Sequence, residues 1–136
     1  MKRKRLILIS IIWTSIFLTA LGIAGIDIPL SGVIIYAFDQ NPAGLDEGNE
    51  WVTIHNPSNK SADIGNGTLE TTNGSTVSVW IAEGTTLYPG AYITISPSYR
   101  WIDNNNESII LRDAVGDVAD RTLVVNDNES DNRYWM

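Results

Sequence analysis

Cysteine is absent from this 136-residue chain, which excludes disulfide staples, thiolate metal sites and a cysteine nucleophile. Histidine occurs once, at His55. A zinc site built on imidazoles would lack companions, and a nucleophile–His–acid triad lacks any G-x-S-x-G or similar frame. His55 therefore reads as an ordinary strand residue. Cations are scarce: nine Lys plus Arg stand against sixteen Asp plus Glu, a formal net charge of −7. Four of those cations are Lys2, Arg3, Lys4 and Arg5, so −7 less their four charges leaves −11 for the remainder. A surface this acidic repels phosphate backbones and argues against nucleic-acid binding. Beyond Ile26 no stretch sustains a 3.6-residue apolar period, so no helix is expected there. The length accommodates one domain and no second core, held by packing alone.

What is present begins with a targeting segment over residues 1–26. The four basic residues precede Leu6 to Ile26, a run without any charge whose polar side chains are only Ser10, Thr14, Ser15 and Thr19. Such hydroxyls are tolerated in lipid because they bond back to helix carbonyls. As a helix rising ~1.5 Å per residue the run spans the ~30 Å hydrocarbon core, with the basic tip on the cytoplasmic side and the rest of the chain outside. Two fates stay open. The run is longer than the usual apolar stretch of a cleaved signal, which favours a retained membrane anchor. The small residues of Ala20-Leu21-Gly22 and Gly22-Ile23-Ala24 suit cleavage and secretion.

After Asp27 the texture changes to short β-branched and aromatic runs separated by Gly, Asn, Ser, Thr and Asp. Strands are expected at 32–38, 51–55, 76–81, 91–95, 108–112 and 117–122, with a weaker one at 68–71. Alternation places Val52 with Ile54, Val77 with Val79 and Ile81, and Ile93 with Ile95. Pro89-Gly90 fits a type II turn, Asn73-Gly74 a two-residue hairpin turn, and Ala114 to Asp117 a connector. About seven short strands with frequent turns indicate an all-β sandwich or small barrel over residues 32–124. Residues 125–136 read as a polar C-terminal tail.

Several segments carry a family resemblance. Asn41-Pro42-Ala43-Gly44-Leu45-Asp46-Glu47-Gly48-Asn49-Glu50-Trp51-Val52 resembles the opening N-P-x-G-x-D-x-G-x-E-W-V signature of the lamin tail domain family. Gly84-Thr85-Thr86-Leu87-Tyr88-Pro89-Gly90-Ala91-Tyr92 is similar to its G-T-x-L-x-P-G-x-Y turn. Trp101 to Asn104, Glu107 to Asp113 and Gly116 to Asp120 resemble its last two strands. Two positions depart from the pattern: Ala37 stands where an acid is frequent, and Gly67 where a Trp precedes the T-L of a strand. The resemblance implies an immunoglobulin-like β-sandwich following the N-terminal hydrophobic helix. It further implies a microbial, exported or membrane-anchored single-domain member, similar to accessory modules on surface proteins. The nuclear role of animal lamins is not implied, because no coiled-coil rod accompanies the domain.

Candidate sites are few. Asp39, Asp46, Glu47 and Glu50 crowd one inter-strand loop. Paired carboxylates suit glycoside hydrolysis, but so small a sandwich rarely builds the sugar cleft; a calcium site on these four residues is the better chemical fit, since hard cations want several oxygens. An acidic turn capping strand ends is the simpler reading. Asn126 to Asp131 looks like a calcium loop but lacks Gly at its sixth position, and reads as solvated tail. Asn59, Asn66, Asn73, Asn106 and Asn128 each open an N-glycosylation acceptor pattern. Trp51, Trp80, Tyr88, Tyr92, Tyr99 and Trp101 suit either a carbohydrate-stacking platform or sheet packing. The reading as a whole is a non-catalytic surface or secreted interaction or structural module, with no cofactor. The membrane is its partner through the N-terminal segment. The alternatives are a calcium- or glycan-binding module and, further off, a minimal hydrolase.

Overall fold

The computed structural model describes residues 32–74 and 78–136. The expected N-terminal helix and anchor, and Val77 of the expected third strand, lie outside them. Among the described residues there is no helix, hence none long and apolar enough to cross a membrane. Nine strands follow in chain order: β1 Ile34–Asp39, β2 Trp51–His55, β3 Ala62–Asp63, β4 Thr68–Thr71, β5 Val79–Trp80, β6 Thr86–Leu87, β7 Tyr92–Ile95, β8 Ile109–Arg112 and β9 Val118–Arg121. They form antiparallel sheets ordered β1-β2-β7, β3-β6 and β5-β4-β8-β9. This all-β arrangement is consistent with the immunoglobulin-like sandwich expected from the sequence.

Period-two alternation explains how the core assembles. In β2, Val52 and Ile54 are fully buried while Trp51, Thr53 and His55 alternate onto the other face. In β8, Ile109 and Leu111 go inward by the same rule. Phe38, Val52 and Ile54 from the first sheet meet Leu69, Val79, Ile109 and Leu111 from the third in one apolar cluster, with Ile64, Ile81, Leu87, Trp101 and Ile102 added from loops and the small ribbon. Ile93 and Ile95 share a face, half-buried against that cluster.

The long edge of β1 is covered, which matters because a bare edge invites pairing with other chains. The Ile35 amide donates to Asp120 Oδ2 at 2.7 Å, joining β1 to β9. Further along, Phe38 and Trp135 exchange backbone hydrogen bonds of 3.0 and 2.9 Å. Residues 125–136 are thus not a free tail. Val125 exchanges bonds with Glu107 at 2.8 and 3.0 Å, and the Asp127 amide reaches Asn104 O at 2.7 Å.

The Pro89-Gly90 turn forms as its residues dictate: Gly90 has φ +74° and the Ala91 amide closes onto Tyr88 O at 3.0 Å. The two-residue strands β3 and β6 went unforeseen, being too short to show alternation. Asn73 and Gly74 do not take the positive φ of a type I′ hairpin turn, and residues 75–77, on which the expected turn would close, lie outside the described residues. Gly74 instead presses so close to Trp101 O that a Cβ would collide with it. Gly67, where the resemblance calls for tryptophan nearby, has no room for one: a Cβ would lie 2.7 Å from Arg112 O and 3.0 Å from Ile64 O.

Candidate functional site

The four acidic residues singled out in the sequence are divided by the strand register. Phe38 pairs with Val52 and Asp39 with Trp51. The ladder ends there; the same alternation, continued one residue beyond each strand, assigns Gln40 and Glu50 to the face that Phe38 and Val52 turn to the core. Gln40 and Glu50 are indeed both fully buried. Glu50 Oε2 accepts the amides of Trp101 at 2.7 Å and Ile102 at 3.0 Å. Burial nevertheless raises its pKa, the two amide bonds and Arg100 opposing and Asp46 adding to the rise.

Asp39 belongs to a different neighbourhood. Its Oδ1 accepts the Asn41 amide at 3.1 Å. Burial raises its pKa against that bond, and the charges of Asp127, Asp131 and Asp46 add to the rise. Asp46 sits at the rim, where Oδ2 receives Asn104 Nδ2 at 3.3 Å and faces Arg100 Nε at 3.5 Å. Its carbonyl takes the amides of Asn49 and Glu50 at 3.0 and 3.2 Å, with Gly48 at φ +80° turning the chain. Glu47 is exposed. Among the described residues no group of three or more His, Asp or Glu side chains is placed to hold a metal ion.

Two residues at this end carry weight that the sequence reading did not assign. Glu107 is fully buried. Its Oε1 accepts the amides of Thr72 and Ser108 at 2.8 Å each, the Asn73 amide at 3.1 Å and the Thr72 hydroxyl at 3.1 Å, while Oε2 takes the Asp103 amide at 3.0 Å. It pins the loop after β4 to the start of β8. Gln40 donates through Nε2 to Asn104 O at 2.8 Å. The signal for Gln40 was its place two residues beyond Phe38, the same face of a strand. Glu107 opened a segment resembling the family, but standing after a run of asparagines it had no local mark of burial.

The calcium-like stretch Asn126 to Asp131 docks onto the domain. Asn126 Oδ1 accepts the Asn106 amide at 2.6 Å, and Asp127 is buried. Arg133 reaches Glu129 and Asp131, each at 3.3 Å. That pairing offsets the acidity of a cleft of about 400 Å³ lined by this stretch.

The aromatics separate too. Trp101 is core and fully buried, whereas Trp80 and Tyr88 are 71% and 67% exposed. On the outer face of the β1-β2-β7 sheet His55 stacks on Tyr92 at 4.0 Å between centroids, and Tyr36 meets both edge-on at 5.8 and 5.0 Å. Tyr36 lies at the bulge between Ile35 and Ala37. Thr53 and Thr94 hydroxyls bond at 2.7 Å beside this trio, and Trp51 packs at 5.5 Å against Tyr134. The asparagines of all five glycosylation patterns are exposed.

Comparison with known proteins agrees with this architecture. The family model described as Lamin Tail Domain matches residues 29–126. No curated protein matches the chain.

Proposed function

The chain belongs to the lamin tail domain family, and from that membership we propose that it presents a non-catalytic interaction or structural module on the outer side of a membrane. The observation that carries the reading is the order of the sequence: a basic tip, an uncharged run from Leu6 to Ile26, then directly the domain. Positive residues hold to the cytoplasmic side, so the domain is exported. Retention of the run displays it at the surface; cleavage secretes it. Protease added to intact cells should digest a surface-displayed domain, and culture supernatant should contain a secreted one. Full protection of a cytosolic domain refutes the reading.

One observation favours a binding role over a purely architectural one. The trio Tyr36, His55 and Tyr92 lies beside paired threonine hydroxyls on a domain that is otherwise strongly acidic. Uncharged aromatic surface with adjacent hydroxyls suits a neutral glycan. Titration with neutral oligosaccharides, followed by intrinsic fluorescence, should show binding that Tyr36→Ala and Tyr92→Ala remove. No response to any of them leaves the structural role.

A further inference from the structure

Four buried side-chain atoms lack a hydrogen-bond partner among the described residues: Gln40 Oε1, Glu50 Oε1, Asn104 Oδ1 and Trp101 Nε1. Buried polar atoms are normally satisfied, and an ionised carboxylate left half-solvated is costly. All four belong to one end of the sandwich, and their residues are tied together. Gln40 Nε2 donates to Asn104 O at 2.8 Å, Asn104 Nδ2 donates to Asp46 Oδ2 at 3.3 Å, and Asp46 O accepts the Glu50 amide at 3.2 Å. Both carboxamides have thus committed a nitrogen, which fixes which half of each amide remains unmatched: the oxygen. Gln40 directly follows Asp39 and Glu50 directly precedes Trp51, the paired ends of β1 and β2, and both side chains are fully buried.

We propose that Gln40 Oε1, Glu50 Oε1 and Asn104 Oδ1, with Asp46 at the rim, form a site for one hard cation of the calcium class. Carboxylate and amide oxygens are the donors such ions select, and the set contains no nitrogen or sulfur ligand that would favour zinc. Two carboxylates supply the charge. Arg100, the cation nearest Asp46, stands 3.5 Å away with 56% of its side chain exposed, and can swing into water when the ion enters. The indole N–H of Trp101 does not ligate; it donates to a water retained on the ion, since calcium commonly keeps some of its hydration. This set differs from the loop quartet suggested by sequence. Asp39 turns to the Asn41 amide and the Asp127 side of the molecule, and Glu47 lies in solvent. The site does not depend on where the domain is displayed.

Terbium titration of the full chain in detergent micelles tests this, because the indole of Trp101 beside the site should sensitise lanthanide emission. Wild type should give saturable emission for one ion per chain, displaced by calcium, and calcium should raise the melting temperature. Glu50→Gln, nearly isosteric, and Asn104→Leu at the half-buried rim should each weaken binding by roughly tenfold or more. Glu47→Gln should leave it unchanged, and Asp39→Asn, which acts on Asp46 only through space, should alter it far less than Glu50→Gln does. Circular dichroism of each variant in the absence of the ion shows that the fold is retained. Absence of saturable emission from folded wild type overturns the proposal and assigns the unmatched atoms to internal water. So does binding that survives Glu50→Gln and Asn104→Leu, or that is lost only with Asp39→Asn and Glu47→Gln.

Discussion

Glu50 and Glu107 are both fully buried, and both hold the same short segment: Glu50 takes the amides of Trp101 and Ile102, Glu107 the amide of Asp103. They differ in what reaches the second oxygen. Glu107 has donors on both, whereas Glu50 Oε1 has none among the described residues. Burial alone therefore does not define the role of a carboxylate. One that is ringed by amides is a structural staple, and its charge is balanced by N–H dipoles. One that is half-satisfied retains chemical capacity, for a proton or for a cation.

The staple should be the more costly to remove. Glu107→Ala takes an acceptor from four amides at once; those of Asn73 and Asp103 are left without one, while Thr72 keeps Ser108 O at 3.1 Å and Ser108 keeps Thr72 Oγ1 at 3.2 Å. An unmatched donor costs about 1–3 kcal/mol where water cannot reach it, and the variant also empties the fully buried space of the Glu107 side chain, so a total loss of about 3–5 kcal/mol is expected by chemical denaturation. Glu107→Gln should also destabilise, by about 1–3 kcal/mol, because one carboxamide half would present N–H to N–H. A neutral Glu107→Gln would remove the distinction between the two glutamates.

Glu50→Ala comes next. It breaks two hydrogen bonds where Glu107→Ala breaks five, and it also deletes an unmatched oxygen, so a smaller loss of about 2–3 kcal/mol is expected. Denaturation midpoints of the two alanine variants, measured side by side, give the ordering directly. A Glu50→Ala loss as large as that of Glu107→Ala would mean that Glu50 Oε1 is firmly bonded after all.

Part of this contrast was legible in the sequence. Alternation in Trp51-Val52-Thr53-Ile54-His55 gave β2 with its true bounds, and extending that period back by one step puts Glu50 on the core face. The family resemblance located the acidic loop and the Pro89-Gly90 turn, both of which depend on adjacent residues. The long-range partners were not legible. Glu107 gains its role from Thr72 and Asn73, which are 35 and 34 residues away, and no local period records that meeting. For the same reason Asn73-Gly74, a good hairpin pair by chemistry, lacks the positive φ of a type I′ turn. The close approach of Trp101 O and the pull of Glu107 on the Asn73 amide set the backbone there. Similarly, the last twelve residues are polar by composition, yet backbone bonds to Phe38, Asn104 and Glu107 hold them. Main-chain pairing leaves no compositional trace.

The smallest expected effect is also the most diagnostic. Burial raises the pKa of Glu50, with Asp46 adding to the rise and Arg100 and the two amides opposing it. Between the ordinary glutamate value and the raised one, the folded chain holds a proton that the unfolded chain releases. Stability must then fall as pH rises through that window and stay lower above it. Below the ordinary value both states are protonated and no penalty remains. Glu50→Gln mimics the protonated form: its oxygen can still accept from Trp101 and Ile102, and it buries no charge. In calcium-free buffer the variant should match wild type at the acid end and exceed it at neutral pH. Asp39, raised in the same direction by its own burial, contributes an equal slope to both proteins, so the difference between their curves isolates Glu50. A difference curve that is flat across the acid range, or a variant less stable than wild type at neutral pH, would show that Glu50 Oε1 is already matched and that the two glutamates are staples of one kind.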